Sequence, residues 1–369
     1  MDTTLSGAAK STQSGLALHL ALALGPGADR ALPWPEDREA WLRRSWREER
    51  DRYPRWAGAR GPADLLRRME RLARRLEALD AQCTFLDQLE RYPEALRGLH
   101  RPPAALFFRG ILPQEGRAVA VVGSRAAFKV DLEQAHAIAQ ELAEGGISVV
   151  SGGALGIDAA AHEGALAAKD GAPTIVVLGS GLGQPYPARN RPLFERVIEA
   201  GGCLLSPYLP DEPGKRWHFP ARNTLIAALS ELTLVVAAAT RSGALDTAFK
   251  THRMGRSVAA IPRTPGCRRL IACGEATAVH DAHDVMALLD GEEVDRLVDL
   301  TDEQRALLAA MPHEQPISID ELAIRRDLSP GRVAMLLLQL ELEGLVVGQE
   351  GTRYRSIIGP AQIHSGGER

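Results

Sequence analysis

The chain has 369 residues, with 44 basic and 47 acidic side chains, a formal net charge of −3, and 45% apolar and 25% charged residues. These values are ordinary for a folded protein of two or three domains and exclude wholesale disorder. They also exclude a uniformly basic nucleic-acid coat, so a polyanion would have to meet a local patch.

No apolar run reaches the ~18 residues of a membrane span. The opening MDTTLSGAAKSTQSG lacks the basic and apolar regions of a secretory leader. The four cysteines (Cys83, Cys203, Cys267 and Cys273) are scattered and form no CxxC pair. That is the pattern of reduced thiols in a cytoplasmic protein, without a zinc ribbon or a disulfide framework. No clustered ligand set predicts a metal, and no cofactor is expected.

Taken in chain order, residues 1–85 form an Arg-rich region expected to be helical. Between Trp41 and Arg75 stand twelve arginines and five acidic residues. Leu65, Met69, Leu72, Leu76 and Leu79 recur three or four apart, which predicts a helix over Asp64–Leu79. Its other face carries Arg67, Arg68, Arg71, Arg74 and Arg75. Such a face reads more often as solvated than as phosphate-binding.

Within a domain expected over residues 86–290, residues 115–290 alternate between short apolar runs and helical periods. Strands are predicted at Ala118–Val122, Ser148–Val150, Thr174–Leu178, Cys203–Leu205, Leu232–Ala237 and Ser257–Ile261. Helices are predicted at Leu132–Glu144, Ala159–Ala168, Asn190–Ala200, Thr224–Leu229 and Ala244–Met254. Continuous apolar strands separated by helices define an α/β fold, a Rossmann-like doubly wound parallel sheet. A linker over 291–300 leads to a winged-helix domain over 301–358, followed by a flexible tail over 359–369. In that domain Thr301 with Gln304 and Ser318 with Glu321 read as capping boxes. Ser329-Pro330 opens a third helix to Glu343, Gly344 stops it, and Leu345–Gly348 with Arg353–Ile357 make a hairpin.

Ligands of open parallel sheets bind beyond the carboxyl ends of the strands. The loops there hold Gly123, Ser124 and Arg125; Ser151, Gly152 and Gly153; Gly179, Ser180 and Gly181; and Arg241, Ser242 and Gly243. Glycines let backbone amides approach an anion, hydroxyls add donors, and an arginine adds a forked cation. A second constellation, Trp217-His218-Phe219-Pro220-Ala221-Arg222-Asn223, places aromatics beside a cation ahead of a helix. It reads either as a base-stacking platform with Phe219, Arg222 and Asn223, or as a core Phe and a capping Asn. Asn190, after Tyr186-Pro187, likewise reads as a cap. Asp158 reads as a helix-opening carboxylate, with His162 one turn on.

These residues resemble the DNA processing protein A (DprA, or Smf) family over about Leu89–Tyr354. The resemblance starts at Tyr92-Pro93, Leu96, Leu99, Pro102-Pro103, Leu106-Phe107 and Gly110. It continues through Val119–Arg125, Ser148–His162, Val177–Gly181, Tyr186-Pro187 with Asn190, and Leu205-Ser206. It then takes in Phe219-Pro220, Arg222-Asn223, Ile226-Ala227, Leu229-Ser230 and Arg241–Leu245 with Thr247-Ala248. Val130-Asp131, Thr224 and Arg268 depart from the family pattern. The resemblance implies a homodimeric, cytoplasmic protein that binds single-stranded DNA through its Rossmann-like domain. It further implies protection of incoming strands in natural transformation and loading of RecA recombinase onto DNA coated by single-strand-binding protein.

Two other readings compete. A hydrolase of the lysine-decarboxylase-like, cytokinin-activating type needs a Glu where Thr247 or Ala248 stands, with only Asp246 nearby. A winged-helix regulator would read DNA with residues 329–343, a segment whose only cation is Arg332. The balance favours binding without catalysis.

Overall fold

The computed structural model describes residues 62–86, 91–103, 105–112, 116–292, 294, 300–312, 315–349 and 353–357. Expectations for residues 1–61, most of the 291–300 linker and the 359–369 tail lie outside these residues. In chain order the elements are α1 (Pro62–Ala78), β1 (Gln82–Phe85), α2 (Glu94–Arg97), β2 (Ala105–Gly110), β3 (Ala118–Gly123), α3 (Lys129–Glu144) and β4 (Ser148–Ser151). Next come α4 (Ile157–Ala167), β5 (Ile175–Val177), α5 (Arg191–Glu199), β6 (Cys203–Ser206), α6 (His218–Ala228), β7 (Leu232–Ala237) and α7 (Gly243–Arg253). The chain continues with β8 (Ser257–Ala260), α8 (Pro265–Ala272), β9 (Thr277–Ala278), α9 (Ala282–Leu289) and α10 (Asp302–Ala309). It ends with β10 (Ile317–Ser318), α11 (Ile319–Arg326), α12 (Pro330–Leu342), β11 (Val346–Gln349) and β12 (Arg353–Ser356).

The compact units do not follow the linear order of these elements. Among the described residues, one unit joins those up to 116 to 173–229, and the other joins 117–172 to those from 230 onward. In the first unit the strand order is β1-β2-β6-β5. β5 and β6 run parallel, Ile175 opposite Cys203, while β2 pairs antiparallel with both β6 and β1. The two antiparallel strands, absent from the sequence-based expectation, carry buried Leu106, Phe107 and Phe108. Tyr92, fully buried, donates its hydroxyl to the Pro103 carbonyl at 2.7 Å and secures the lead-in to β2. Helix α1 forms where its leucine spacing predicts; Leu76 is buried, and Arg67, Arg71 and Arg74 face solvent. Arg75 is paired with Asp211 at 2.7 Å.

In the second unit the order is β4-β3-β7-β8-β9, and neighbouring strands pair in parallel. Every residue of β7 is buried, which is why it reads as an unbroken apolar run. On one face α3, α4 and α9 pack over β3, β4, β7 and β8 through Val119, Ile138, Leu142, Ile157, Leu234 and Val285. Helices α3 and α4 approach closely because Gly164 has no side chain: a Cβ there would lie 2.1 Å from the His136 carbonyl oxygen. On α7, Thr251 meets Thr233 of β7, hydroxyl to hydroxyl at 2.7 Å. Asp131, 1% exposed, accepts from Arg263 at 3.0 Å and from the Phe128 amide, which closes the start of α3.

The winged helix has α10, α11 and α12 around Leu307, Leu322, Val333, Leu337 and Leu340. Both capping boxes form: the Thr301 hydroxyl accepts from the Gln304 amide at 3.3 Å, and the Ser318 hydroxyl from the Glu321 amide at 3.2 Å. The hairpin is part of a three-stranded sheet, β10-β12-β11, because Ile317-Ser318 adds an edge that two residues could not announce in sequence. Gly344, at φ +72°, stops α12, and a Cβ there would come within 2.8 Å of Ala278 Cβ. Among the described residues no helix is long and apolar enough to cross a membrane, and no group of three or more His, Cys, Asp or Glu side chains is placed to hold a metal ion.

Candidate functional site

In the second unit the loops after β3, β4 and β7 lie at one edge, because their strands run parallel and adjacent. Gly123 ends β3 where a Cβ would lie 2.6 Å from the Ile157 side chain, so the glycine admits α4 against the strand. Ser124 is held at both ends of its peptide: its amide donates to the Ala237 carbonyl at 2.8 Å, and its carbonyl accepts from the Ile157 amide at 3.2 Å. Its hydroxyl accepts from the Ala126 amide at 3.2 Å, which leaves Arg125 exposed at the apex.

After β4 the chemistry differs from the sequence-based expectation. The Ser151 hydroxyl is fully buried and donates to the Val121 carbonyl at 2.6 Å. Gly152 and Gly153 are buried as well. Gly156, at φ +82°, would collide with the Ser124 carbonyl at 2.3 Å if it carried a side chain. These glycines pack one loop onto the next, and Ser151 joins two strands. Asp158 is buried in the first turn of α4, where its carboxylate accepts from the Ala154 amide at 3.3 Å, a role the sequence reading anticipated. His162 is buried one turn on.

The loop after β7 is the open one. Arg241 and Gly243 are exposed. Ser242 is the N-cap of α7, yet its side chain makes no capping bond, and its buried hydroxyl hydrogen-bonds to none of the described residues. A Cβ on Gly243 would meet nothing within 4 Å. An uncapped helix start beside an idle hydroxyl and exposed arginines has the donor set and dipole for a phosphate or carboxylate. Asp246, in the first turn of α7, is tied to Lys250 at 2.7 Å.

The first unit holds the remaining predicted residues. Gly179, Ser180 and Gly181 are buried after β5. The Gly181 amide donates to the Glu212 carbonyl at 2.8 Å, so it is not offered to an anion. Gly179 lies under Phe219, whose ring a Cβ would meet at 2.7 Å. The Ser180 carbonyl accepts from the Ser206 hydroxyl at 2.8 Å; its own buried hydroxyl bonds to none of the described residues.

The aromatic segment does not precede its helix. Apart from Trp217, the N-cap residue, it is the first half of α6, which starts six residues earlier than expected because Pro220, in the first turn, has no amide that the helix needs. Asn223 is therefore inside the helix and is not its cap. Arg222 is 4% exposed and donates Nη1 to the Val177 carbonyl, a buried structural bond in place of the solvent-facing fork expected. Asn190 occupies the N-cap position of α5 without a capping bond.

Around α6 stands an aromatic group that sequence spacing could not assemble. Tyr186 and Trp217 are exposed, and the Tyr186 ring centre is 5.6 Å from that of half-buried Phe219. Tyr208 stacks on His218 at 3.7 Å and donates its hydroxyl to the His218 carbonyl at 3.2 Å. Lys215 lies 5.8 Å from the Trp217 ring centre and 2.6 Å from a Glu212 carboxylate oxygen. Burial lowers the His218 pKa, chiefly through loss of water, against the opposing pull of Glu212. Burial likewise pushes the Tyr208 hydroxyl up to about 12. Tyr208, Glu212 and Lys215 come from an irregular loop, where no periodicity marks a position as facing a site.

The strand-end loops and the appended unit define the class: a Rossmann-like α/β protein with a winged helix. The model of the family "DNA recombination-mediator protein A" matches residues 83–290, and that of the "DprA winged helix domain" matches 292–352. Protein Smf of Synechocystis sp. is 34% identical over 313 residues, 72% of this chain and 77% of that one. DNA processing protein DprA of Streptococcus pneumoniae is 40% identical over 203 residues, 53% of this chain and 70% of that one. The X-ray structure of DprA from S. pneumoniae superposes with a TM-score of 0.53 at 32% identity, covering 78% of this chain and 98% of that one. A structure of Helicobacter pylori DNA processing protein A, described for its single-stranded DNA binding mode, gives 0.51 at 28% identity, covering 57% and 98%. The chain belongs to the DNA recombination-mediator protein A (DprA/Smf) family.

Proposed function

We propose that this protein binds single-stranded DNA and acts as a recombination mediator without catalysing a reaction. The observation that carries this reading is the start of α7, where the Ser242 hydroxyl bonds to none of the described residues, Gly243 has no neighbour within 4 Å of where a Cβ would stand, and Arg241 is exposed. Arg125, at the end of the neighbouring strand, adds a second exposed cation suited to phosphate. In the first unit, exposed Tyr186 and Trp217 with half-buried Phe219 offer ring faces to bases, and stacking of this kind contributes ~1–3 kcal/mol per base. Membership of the family supports the same reading, as does the single-stranded DNA described for the H. pylori relative.

The hydrolase alternative needs a carboxylate free to move a proton. Asp246, the only acid among residues 239–248, is engaged by Lys250, which supports binding over catalysis. Within the proposal, the protein works as a cytoplasmic homodimer. It shields incoming single strands and passes DNA from single-strand-binding protein to RecA recombinase.

The test is a fluorescence-anisotropy titration of single-stranded and blunt duplex oligonucleotides across a salt series. The single strand should bind more tightly, with log K falling against log salt by ≈ 0.7 per phosphate neutralised. A flat salt dependence would remove the phosphate role of α7 and Arg125. Equal affinity for duplex would remove the stacking role of the rings. The mediator step is checked separately, by RecA filament growth on strands pre-coated with single-strand-binding protein.

A further inference from the structure

In a winged helix, the third helix is the one that enters a DNA groove, and it normally presents Arg, Lys, Asn or Gln. Here α12 presents something else. Its inner face, Val333, Leu336, Leu337 and Leu340, is at most 2% exposed. Its outer face carries Met335, Leu338 and Leu342 at 43, 54 and 46% exposure, with exposed Gly331 a turn ahead. The spacing of 331, 335, 338 and 342 is one continuous stripe along the helix. Its only cation, Arg332, is held by both carboxylate oxygens of Glu303. The helix is therefore apolar on two faces, and one of them meets water.

The surrounding charge indicates what covers that face. Over residues 301–357 there are nine acidic and six basic side chains, a balance of −3. At the carboxyl end of α12, where the helix dipole adds negative potential, half-exposed Glu343 lies 3.4 Å from His280, and largely buried Glu341 lies 3.9 Å from Arg268 and accepts from the Gly348 amide. Two copies of this face would bring like charges together, and a DNA backbone would be repelled. A helix with apolar residues at i, i+3, i+4 and i+7 between lysines or arginines matches both the stripe and the sign of the field. We infer that the outer face of α12 is a docking surface for a basic amphipathic helix of a partner protein. This inference does not depend on how the strand-end loops bind DNA.

The test uses the full chain and two labelled helical peptides of about three heptads. One has leucine on one face and lysine or arginine elsewhere; the other has glutamate in place of every cation. The basic peptide should bind, and the acidic one should not. Leu338→Ser and Leu342→Ser should each weaken binding at least tenfold, and Glu343→Lys several-fold. Circular dichroism and single-stranded DNA affinity of these variants should stay at parental values. Equal binding of both peptides, or serine variants that bind like the parent, would overturn the inference. So would an oligomer in sedimentation that Leu338→Ser dissociates, since a second copy would then be the occupant. A loss of duplex DNA affinity in Leu338→Ser would overturn it as well, by making α12 a DNA reader.

Discussion

Two arginines that look equivalent in sequence should fail in different ways when truncated. Arg125 is exposed at the end of β3, whereas Arg222 is 4% exposed with Nη1 on the Val177 carbonyl. Arg125→Ala should leave the melting temperature within a degree or two, since surface changes stay near ±0.5 kcal/mol. If Arg125 contacts a phosphate, the same change should cost ~1.5–3 kcal/mol of DNA affinity, roughly 10- to 150-fold. Arg222→Ala removes a charge-assisted donor from a buried carbonyl, so ~1.5–3 kcal/mol of stability is lost before any cavity penalty. For a cooperative unit of 150–250 residues that lowers the midpoint by roughly 3–12 °C. Once corrected for the folded fraction, its DNA affinity should lie within ~1 kcal/mol of the parent, as for a residue without direct ligand contact. Thermal melts and anisotropy titrations of both variants decide the matter. If Arg222→Ala melts like the parent but loses DNA, while Arg125→Ala keeps it, the two roles assigned here are reversed.

Three further outcomes follow from the geometry. His218 is held neutral by burial, so its folded pKa is below that of the unfolded chain. The unfolded state then binds more protons, and the contribution is present above pH ~6.5 and is lost as the pH falls below it. Urea midpoints at pH 7.5 and 5.5 should therefore differ less in His218→Gln than in the parent; identical differences would count against a buried neutral imidazole. Gly344→Ala should destabilise the winged helix by ~1–2 kcal/mol from the positive φ alone, with the 2.8 Å approach to Ala278 adding to it, and an unchanged melt would refute this. A maleimide should label exposed Cys273 in the native protein but not Cys203 or Cys267, whose thiols burial raises to about 12 and about 11. Peptide mass spectrometry reads the sites directly.

Strands β3, β4, β7 and β8 of the second unit were legible because they are almost wholly buried, and β7 was read to the residue; β9, two residues long with Thr277 exposed, carries no such run and was not. The caps at Thr301 and Ser318 were legible because their chemistry is local. Strands β1 and β2 were not, since ALFF after two prolines reads as one apolar cluster and its antiparallel partners lie far away in sequence. The start of α6 was missed because a proline near the first turn resembles a breaker until the register is known. Within the site, residue type identified the loops but not the direction of each group. Ser151 and Ser242 look alike in sequence, yet one joins two strands and the other has an idle hydroxyl. Glycines after strands proved ambiguous for the same reason: Gly123, Gly156 and Gly179 admit a neighbouring side chain or backbone, while Gly243 faces open space.

The interleaved route of the chain has a consequence for how it is made. The polypeptide passes between its two compact units after residues 116, 172 and 229. A ribosome therefore releases β3 and β4 of the second unit before β5 and β6 of the first. Strand β7, which pairs with β3, emerges only after residue 231. Neither unit can finish folding as a contiguous nascent segment, unlike the usual order in which an N-terminal domain is complete before the next begins. The apolar edge of β3 must wait for more than a hundred residues of synthesis. A stop codon anywhere between 117 and 229 leaves both units unfinished, so this stretch, about a third of the gene, tolerates interruption far less well than its loops alone would indicate.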